Sequence, residues 1–489
     1  MVNVTELCEN CLRSETKFTI DASTISDFVK SPYKLWCDCH APTEAKDPLT
    51  EYDKLLFEQG KEHEKKTVEI EYPQAETIIF TKPEEGFGLA LEAMQSGVGS
   101  LHNIPIFYLP QGLVGRTDIL ERNDGHSSIF GDYHYVVKEI KLAKNIKPYH
   151  RMQTAFYNYL LGMIQGYTPG EYFLINRDRN LLSFHYDETE ILKVINSVIE
   201  IYNGKSVSPT YGSCKSTPWE TYCNQEAIKS HDISLVSQVG PSFKKKLVAA
   251  GFKTVSDLTT AKIVDLTIIN GIGEKKAKTF QTNSTAIMKG SHINLDTVVF
   301  PTVSTEIFLD LEGTGEQMNK DELVAIDYLI GVLVRKDGEE KYIPFIAHDL
   351  KSEGQMFQEF LDWLTKQEDY LIYHWHHYEK THLLKLGERY NMNQEQKTKL
   401  LASLRDLYKD AVKCFAFPTY GNGLKEVAKY MGFSWRDTSS NAMDSAALYF
   451  QYAANPNNNK SNLQKILKYN EDDCIATRIV KDWMISHFS

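Results

Sequence analysis

The stretch EIFLDLEG at residues 306–313 predicts the strand around which the carboxy-terminal part of the chain is built. It is an apolar strand pattern that ends in two acids, Asp310 and Glu312, two positions apart. Residues two apart in a strand point to the same side of the sheet, so both carboxylates leave one face. Carboxylate oxygens are the ligands that Mg²⁺ and Mn²⁺ prefer, and the pair therefore predicts a site for divalent metal ions.

A second stretch, KYNEDDCIATRIVKDW at residues 468–483, has the pattern of a helix. Tyr469 lies four residues before Asp473, so the two side chains share one face of that helix. The neighbouring Asp472 is the competitor of Asp473, but its spacing from Tyr469 places it off that face. Taken alone, the first stretch is explained by a strand end with solvent-facing acids, and the second by a polar helix start. Both stretches in this order favour a shared site.

A strand D-x-E followed by a helical Y-x3-D resembles the ribonuclease-H-like DEDD exonucleases of the tyrosine subtype. The resemblance implies four acids that hold two divalent ions, with Tyr469 orienting the nucleophilic water. The remaining acid of that family is normally an Asp, and its best match here is Glu379 in YHWHHYEKTHL at residues 373–383. Glu379 is one methylene longer, which predicts altered metal geometry. GNGLKEVAKYMGF at residues 421–433 fits the helix found between the third and fourth acids.

The middle of the chain is basic, although the whole chain carries a net charge of −11. Between Asp232 and Gly290 there are nine lysines and four acids. Two pieces of this segment, residues 235–258 and 266–281, each have the pattern of a helix, a glycine-containing turn and a second helix. We expect the glycines of these turns to adopt positive φ and to expose backbone N–H groups to phosphate.

This repeated pattern resembles a tandem helix-hairpin-helix module, which implies contact with a DNA backbone without sequence preference. A solvated lysine-rich face explains the charge but not the repeated turns, and protein contacts are a further alternative for such a module. The predicted DNA-binding residues are Gly240, Lys244, Lys245, Gly271, Gly273, Lys275 and Lys276.

An acid and a lysine lie on one predicted strand in the first half of the chain. Glu139 and Lys141 are two apart in SSIFGDYHYVVKEIKLAK, and Asp118 ends the turn GRTD that follows the apolar run IFYLPQGLV. Two carboxylates can hold Mg²⁺ or Mn²⁺ beside a phosphodiester, while a lysine orients water or neutralises developing charge. Taken singly, such residues are more often a surface ion pair and a turn.

Further polar residues occur at characteristic separations around this pair. His63 in FEQGKEHE would complete the metal shell or position the phosphate, and Gln153 and Tyr157 are four apart on one face of a predicted helix. The order G-x-x-H, GxxD, E-x-K, Q-x-x-x-Y resembles the RecB-like branch of the PD-(D/E)XK nucleases over about residues 20–230. The resemblance implies a mixed sheet flanked by helices and metal-dependent DNA cleavage. Asp118 and Glu139 are then metal ligands, with Lys141 catalytic.

The cysteines around this region raise the question of a second metal site. Some members of the same branch hold an iron-sulfur cluster through one early Cys and a later C-x2-C-x5-C. Cys37, Cys214 and Cys223 match this pattern, but the middle position is Thr217, and Cys39 is the candidate for the fourth ligand. A [4Fe–4S] cluster, a zinc ion and an empty site remain alternatives, and Cys8 with Cys11 has the spacing of a zinc half-site.

Length and composition set the frame for these expectations. With 489 residues the chain is long enough for about three domains, and 42% apolar residues supply their cores. No long apolar run or signal-peptide pattern is present, which predicts a cytoplasmic protein without membrane partners. Eight cysteines are too few for a disulfide scaffold.

We therefore expect a multidomain α/β chain. The predicted domains are a RecB-like restriction-endonuclease-type α/β domain at 1–230, an all-α helix-hairpin-helix module at 231–290 and a ribonuclease-H-like α/β domain at 291–489. The predicted function is metal-dependent DNA cleavage with Mg²⁺ or Mn²⁺ in DNA repair or processing, on single strands or ends. No helicase motor is present, so unwinding would require a partner. The alternatives are a DNA-binding scaffold with inactive nuclease folds and an RNA exonuclease using only the last domain.

Overall fold

The computed structural model describes residues 2–319, 322–437 and 441–488. The chain divides into two compact units, the first made of Met1–Pro48 and Leu56–Glu226 and the second of Leu49–Leu55 and Ala227–Ser489. Helices and strands alternate in both units, so the predicted mixed α/β architecture is confirmed. None of the helices in the described part of the chain combines the length and apolarity needed to cross a membrane.

The first unit contains a sheet with helices around it. Its helices are α1 (Val4–Leu12), α2 (Ala22–Lys30), α3 (Pro32–His40), α4 (Glu51–Glu71), α5 (Pro83–Gln95), α6 (Pro148–Gln165), α7 (Glu188–Tyr202) and α8 (Glu220–Lys229). The residues of α4 up to Leu55 and those of α8 from Ala227 onward belong to the second unit. Its strands are β1 (Glu76–Thr77), β2 (Ser100–Tyr108), β3 (Leu113–Asn123), β4 (His134–Ile140), β5 (Glu171–Ile175) and β6 (Leu181–His185).

The six strands of this sheet lie in chain order. The β2–β3–β4 part is antiparallel, and β5 then runs parallel to β4 after the crossover through α6. Every residue of β4 is buried, as expected for an inner strand that is covered on both faces. Helix α6 begins with Pro148 at its first position and ends at Gly166, whose φ of +73° suits the left-handed cap. The strand and helix predicted around Glu139 and Tyr157 are confirmed.

The second unit contains the basic segment and a second sheet. Its helices are α9 (Pro241–Ala249), α10 (Val255–Thr260), α11 (Ile263–Thr267), α12 (Glu274–Lys289), α13 (Glu353–Leu364), α14 (Tyr378–Arg389), α15 (Gln394–Ser403), α16 (Leu407–Cys414), α17 (Leu424–Tyr430), α18 (Ala442–Ala454) and α19 (Lys460–Ser486). Its strands are β7 (Ile293–Asn294), β8 (Thr305–Gly313), β9 (Gln317–Asn319), β10 (Glu322–Val324), β11 (Asp327–Lys336), β12 (Glu339–Ile346), β13 (Tyr370–His374), β14 (Leu404–Asp406) and β15 (Phe415–Ala416).

The larger sheet of this unit has the strand order β12–β11–β8–β13–β14. The central strand β8 is antiparallel to β11 and parallel to β13. Helix α19 packs on β8 and β11, and its Asn470 lies so close to Gly331 of β11 that an added Cβ would be 1.6 Å from the amide oxygen. Only glycine leaves room for this approach, which brings the face of α19 to the strand that carries Asp310.

Candidate active site

Three acids meet where β8 passes beneath α19. Oxygens of Asp310, Glu312 and Asp473 all lie within 4.8 Å of one another, and the described residues contain this single cluster of three or more potential metal ligands at that spacing. Glu312 and Asp473 are buried and Asp310 is half-buried. The two stretches that predicted carboxylates on one strand face and one helix face therefore converge on one place.

Two acids of this cluster, Asp310 and Asp473, have a hydrogen-bond donor that fixes the side chain. Asn470 Nδ2 donates to Asp310 Oδ2 at 2.7 Å, and Trp435 Nε1 donates to Asp473 Oδ1 at 2.7 Å. The hydroxyl of Tyr469 is hydrogen-bonded to Asp473. Anchored carboxylates keep their remaining oxygens in place for a metal ion, as outer hydrogen-bond partners do in metal sites generally.

The electrostatics of the cluster call for a cation. Burial, followed by repulsion from Asp473, raises the pKa of Asp310 and of Glu312 well above the ordinary range of these acids. Burial also raises the pKa of Asp473 to about 6. Like charges held together out of water are unfavourable without a counter-charge. A divalent ion supplies that charge, and the all-oxygen donor set is the one that Mg²⁺ and Mn²⁺ prefer.

Glu379 lies in the first turn of α14, beside the cluster but outside the 4.8 Å group. Its negative charge acts on both Asp310 and Glu312. Its Oε2 is 3.5 Å from Nδ1 of His374, and within the described part of the chain neither buried atom has a hydrogen-bond partner. A buried carboxylate oxygen of this kind is suited to a second ion.

Asp472 takes no part in the cluster. Its carboxylate accepts hydrogen bonds from the guanidinium of Arg436 at 2.6 Å and from the Arg436 backbone N–H at 2.9 Å. Adjacent residues of a helix point about 100° apart, so Asp472 faces Arg436 while Asp473 faces the cluster.

The sequence interpretation missed Lys425 and Trp435. Helix α17 was expected between the third and fourth acids, but its lysine was not singled out. The ammonium group of Lys425 lies 4.9 Å from the ring centroid of Tyr469, and its charge opposes the raised pKa values of Glu312 and Asp473. Lys425 is far from these residues in the sequence, so no short sequence pattern predicts that it lies beside them.

The first unit brings Asp118, Glu139 and Lys141 together. Lys141 Nζ donates to Glu139 Oε2 at 3.0 Å, and Glu139 Oε1 accepts from the backbone N–H of Asp118 at 3.0 Å. Burial, and next the charge of Glu139, raises the pKa of Asp118 well above its ordinary range. Gln153 is hydrogen-bonded to the hydroxyl of Tyr157, whose pKa is raised by burial and by the charges of these acids.

His63 is buried on α4, and within the described part of the chain its Nε2 has no hydrogen-bond partner. Its imidazole is hydrogen-bonded to the backbone of Asn176, and burial, followed by the charges of Arg179 and Arg177, lowers its pKa. The charge of the adjacent Glu64 acts on both Asp118 and Lys141. The role of His63 in completing the metal shell or positioning the phosphate stays a prediction.

The structure brings three of the four predicted cysteine ligands together. Cys37, Cys214 and Cys223 lie in one buried cluster with Trp219, and the thiols of Cys214 and Cys223 are hydrogen-bonded to each other. Cys39 packs against the main core of the unit instead. Two residues apart on α3, Cys37 and Cys39 point about 200° from each other. The structure thus assembles three of the four thiols, and Cys39 as the fourth ligand stays a prediction.

The two glycine-containing turns of the basic segment have one shared backbone geometry. Gly240 and Gly273 cap the amino ends of α9 and α12 with φ of −75° and −82°. The positive φ expected of them occurs two residues earlier, at Gln238 (71°) and Gly271 (91°). Both capping glycines have space around them, since an added Cβ would meet nothing within 4 Å. The amino ends of both helices thus present uncovered backbone.

The lysines of this segment differ in what they contact. Lys245 and Lys275 are exposed beside the two turns. Lys244 is only 8% exposed, and its Nζ lies 2.7 Å from Asp232 Oδ2. Lys244 was expected to contact DNA. Because it precedes the exposed Lys245 on the helix, its side chain points inward and forms an ion pair with Asp232. Lys276 lies with its Nζ 4.3 Å from the ring of Phe243.

Comparisons with known proteins agree with two of these regions. Residues 307–485 match the RNase H superfamily model, and residues 232–279 match the SAM-like helix-hairpin-helix tandem. A comparison with curated proteins returned no match. Among solved structures, the crystal structure of SSO0001 is 18% identical with a TM-score of 0.20, covering 46% of this chain and 94% of that one.

A second solved structure describes 3′-end specific recognition of a histone mRNA stem-loop by a 3′-exonuclease. It is 12% identical with a TM-score of 0.20, and the match covers 44% of this chain and 85% of that one. The chain thus contains an RNase H superfamily domain and a helix-hairpin-helix tandem. Together with the acidic cluster, these domains indicate a nuclease that binds nucleic acid.

Proposed function

We propose that this protein is a divalent-metal-dependent DNA nuclease whose principal active site is the cluster of Asp310, Glu312 and Asp473, with Glu379 beside it. The observation that carries the proposal is the mutual 4.8 Å spacing of three acids from two distant stretches within an RNase H superfamily domain. Buried acids at this spacing oppose folding unless they bind a cation, so a binding role explains their presence.

Asp310, Glu312 and Asp473 would hold one ion, and Glu379 with Asp310 a second. Such ions, when bound, polarise a phosphate and lower the pKa of a coordinated water. The residues of the chain supply orientation. Asn470 and Trp435 fix the two carboxylates to which they donate. The hydroxyl of Tyr469, which is hydrogen-bonded to Asp473, would orient the attacking water.

DNA is the proposed substrate because of the basic segment. Its two capped helix ends, with Lys245 and Lys275 beside them, suit a sugar–phosphate backbone and read no base sequence. The resemblance to the DEDD exonucleases implies stepwise removal of nucleotides from a 3′ end. RNA is the alternative substrate for the same chemistry.

A second cleavage site in the first unit is proposed on a separate observation. Lys141 is hydrogen-bonded to Glu139, and Glu139 to the backbone of Asp118, in the arrangement that the RecB-like resemblance implies. Asp118 and Glu139 would hold an ion there. Lys141 would orient the attacking water or neutralise charge that develops on the phosphate.

Labelled single- and double-stranded DNA and RNA, each with Mg²⁺ or Mn²⁺, test both sites in one design. We expect Asp310→Ala to abolish stepwise trimming and Lys141→Ala to abolish a different cleavage pattern. Lys144→Ala, an exposed lysine three residues from Lys141, is the matched control and should cleave normally. Trimming that survives Asp310→Ala would refute the principal site. A clear preference for RNA ends would replace DNA as the substrate.

A further inference from the structure

We propose that Lys425 is a phosphate-binding residue of the Asp310–Glu312–Asp473 site and, before metal ions bind, the counter-ion of its carboxylates. The inference rests on the nuclease function proposed above and adds a cation to a site that was assigned only acids and a tyrosine.

The position of Lys425 is defined by two aromatic rings. Its Nζ lies 4.9 Å from the ring centroid of Tyr469 and 6.0 Å from that of Trp435. Both rings belong to residues whose polar groups are hydrogen-bonded to Asp473. Cation–π contacts of this kind hold an ammonium group over the ring faces. The side chain of Lys425 is therefore held at the Asp473 side of the cluster.

The charge of Lys425 acts on the acids themselves. Its ammonium group has a favourable charge interaction with the carboxylates of Glu312 and Asp473. The nearby Arg436 does not take this role, because its guanidinium is engaged by Asp472 and Glu471, each at 2.6 Å. Lys425 is thus a cation that offsets the acids of the cluster.

A bound divalent ion would change the interactions of the Lys425 ammonium group. Once the carboxylates are neutralised by ions, the attraction that holds Lys425 to them weakens. The residue is half-buried and so remains accessible from solvent. Lysine binds phosphate as a compact point charge, and a non-bridging phosphate oxygen placed at the acids would be its new partner. The same side chain then stabilises the metal-free site and contacts the substrate.

The test separates the two roles because removing the charge of Lys425 should not lower the affinity for Mn²⁺ but should lower the affinity for a nucleotide. Lys425→Met removes the charge while keeping the length of the side chain, Lys425→Arg keeps the charge, and Lys429→Met changes an exposed lysine of the same helix as a control. Calorimetry measures the affinity for Mn²⁺ and, at saturating Mn²⁺, for a nucleoside 5′-monophosphate. Single-turnover trimming measures the cleavage rate.

We expect Lys425→Met to bind Mn²⁺ at least as tightly as the wild type, because a competing cation has been removed. The same variant should bind the nucleotide and cleave about 10- to 100-fold less well, the range of a lost charge-assisted hydrogen bond. Lys425→Arg should recover most of both, and Lys429→Met should match the wild type. Wild-type nucleotide affinity in Lys425→Met, or Mn²⁺ affinity that falls in parallel with activity, would overturn the proposal. A wild type that cleaves nothing would refute the nuclease function instead, and the two affinities would still decide the role of Lys425.

Discussion

Asn470 of α19 donates a hydrogen bond of 2.7 Å to Asp310 of β8, across 160 positions of sequence. The same amide accepts a hydrogen bond from the hydroxyl of Tyr342 at 2.8 Å, which fixes its orientation. Asn470 follows Tyr469 directly and precedes Asp473 by three residues, so one short helical segment supplies a tyrosine, an anchor and an acid to the site. The anchor ties the strand acid to the helix acid.

Replacing this anchor should impair the site without removing a metal ligand. Asn470→Ala leaves Asp310 free to change its side-chain conformation, and we expect Mn²⁺ affinity or trimming to fall about 10- to 100-fold, as for other outer partners of metal ligands. Calorimetric titration with Mn²⁺ measures the effect. Asn462→Ala, near the exposed start of the same helix, is the control. Unchanged affinity and rate in Asn470→Ala would show that Asp310 needs no anchor.

Glu379 should be required for the second ion. We expect Glu379→Gln to bind one Mn²⁺ where the wild type binds two, because the other three acids retain their mutual spacing. Trimming should fall by more than about 100-fold, since paired ions stabilise both the attacking and the leaving oxygen. Glu388→Gln, an exposed position on α14, controls for the loss of a charge. Two ions bound to Glu379→Gln would mean that the third acid is misassigned.

Mn²⁺ binding should weaken as the pH falls through about 6. Burial raises the pKa of Asp473 to about 6, above its value in the unfolded chain, so the folded protein holds a proton there in mild acid. Proton and metal ion compete for the same oxygens, hence affinity is highest above this pH and is lost below it. Titrations from about pH 5 to about pH 8 measure the change. Affinity that is constant over this interval would contradict the assignment of Asp473 as a ligand.

The exposed lysines beside the two turns should account for part of the salt dependence of DNA binding. Lys245→Ala and Lys275→Ala should each weaken binding to every DNA sequence alike and reduce the slope of log affinity against log salt by about one. Fluorescence anisotropy over a salt series gives the slope. Lys289→Ala, at the opposite end of α12 from Gly273, should leave it unchanged. Equal slopes in all four proteins would remove this face as the DNA contact.

Lys244 should instead affect stability. Its ion pair with Asp232 is buried on both sides, with 10% and 6% of the side chains exposed. Removing one partner of a buried pair leaves an uncompensated charge, at a cost of about 3–5 kcal/mol. We expect thermal unfolding of Lys244→Ala at a clearly lower temperature, and a smaller loss when Asp232→Asn is added. Normal stability with weakened DNA binding would restore Lys244 as a DNA contact.

Local sequence patterns were sufficient to predict which acids share a face of the strand or the helix. Period two placed Asp310 and Glu312 on one strand face, and a spacing of four placed Tyr469 and Asp473 on one helix face. These relations depend only on backbone geometry, which a short stretch determines by itself. The repeated turns of the basic segment were likewise visible, although the positive φ occurs at Gln238 and Gly271 rather than at the capping glycines.

Only the tertiary structure decided which residues face these groups. Lys425, Trp435 and Asn470 reach the acids through packing between elements far apart in sequence, and no period links them to the residues they contact. The same limit explains the wrong expectation for Lys244, which is buried in an ion pair with Asp232. Lys244 and Lys245, like Cys37 and Cys39, are near neighbours on one helix whose side chains point in very different directions. Which member of each pair turns inward depends on how its helix packs, because burial of one helix face against a distant surface sets the rotation of the helix.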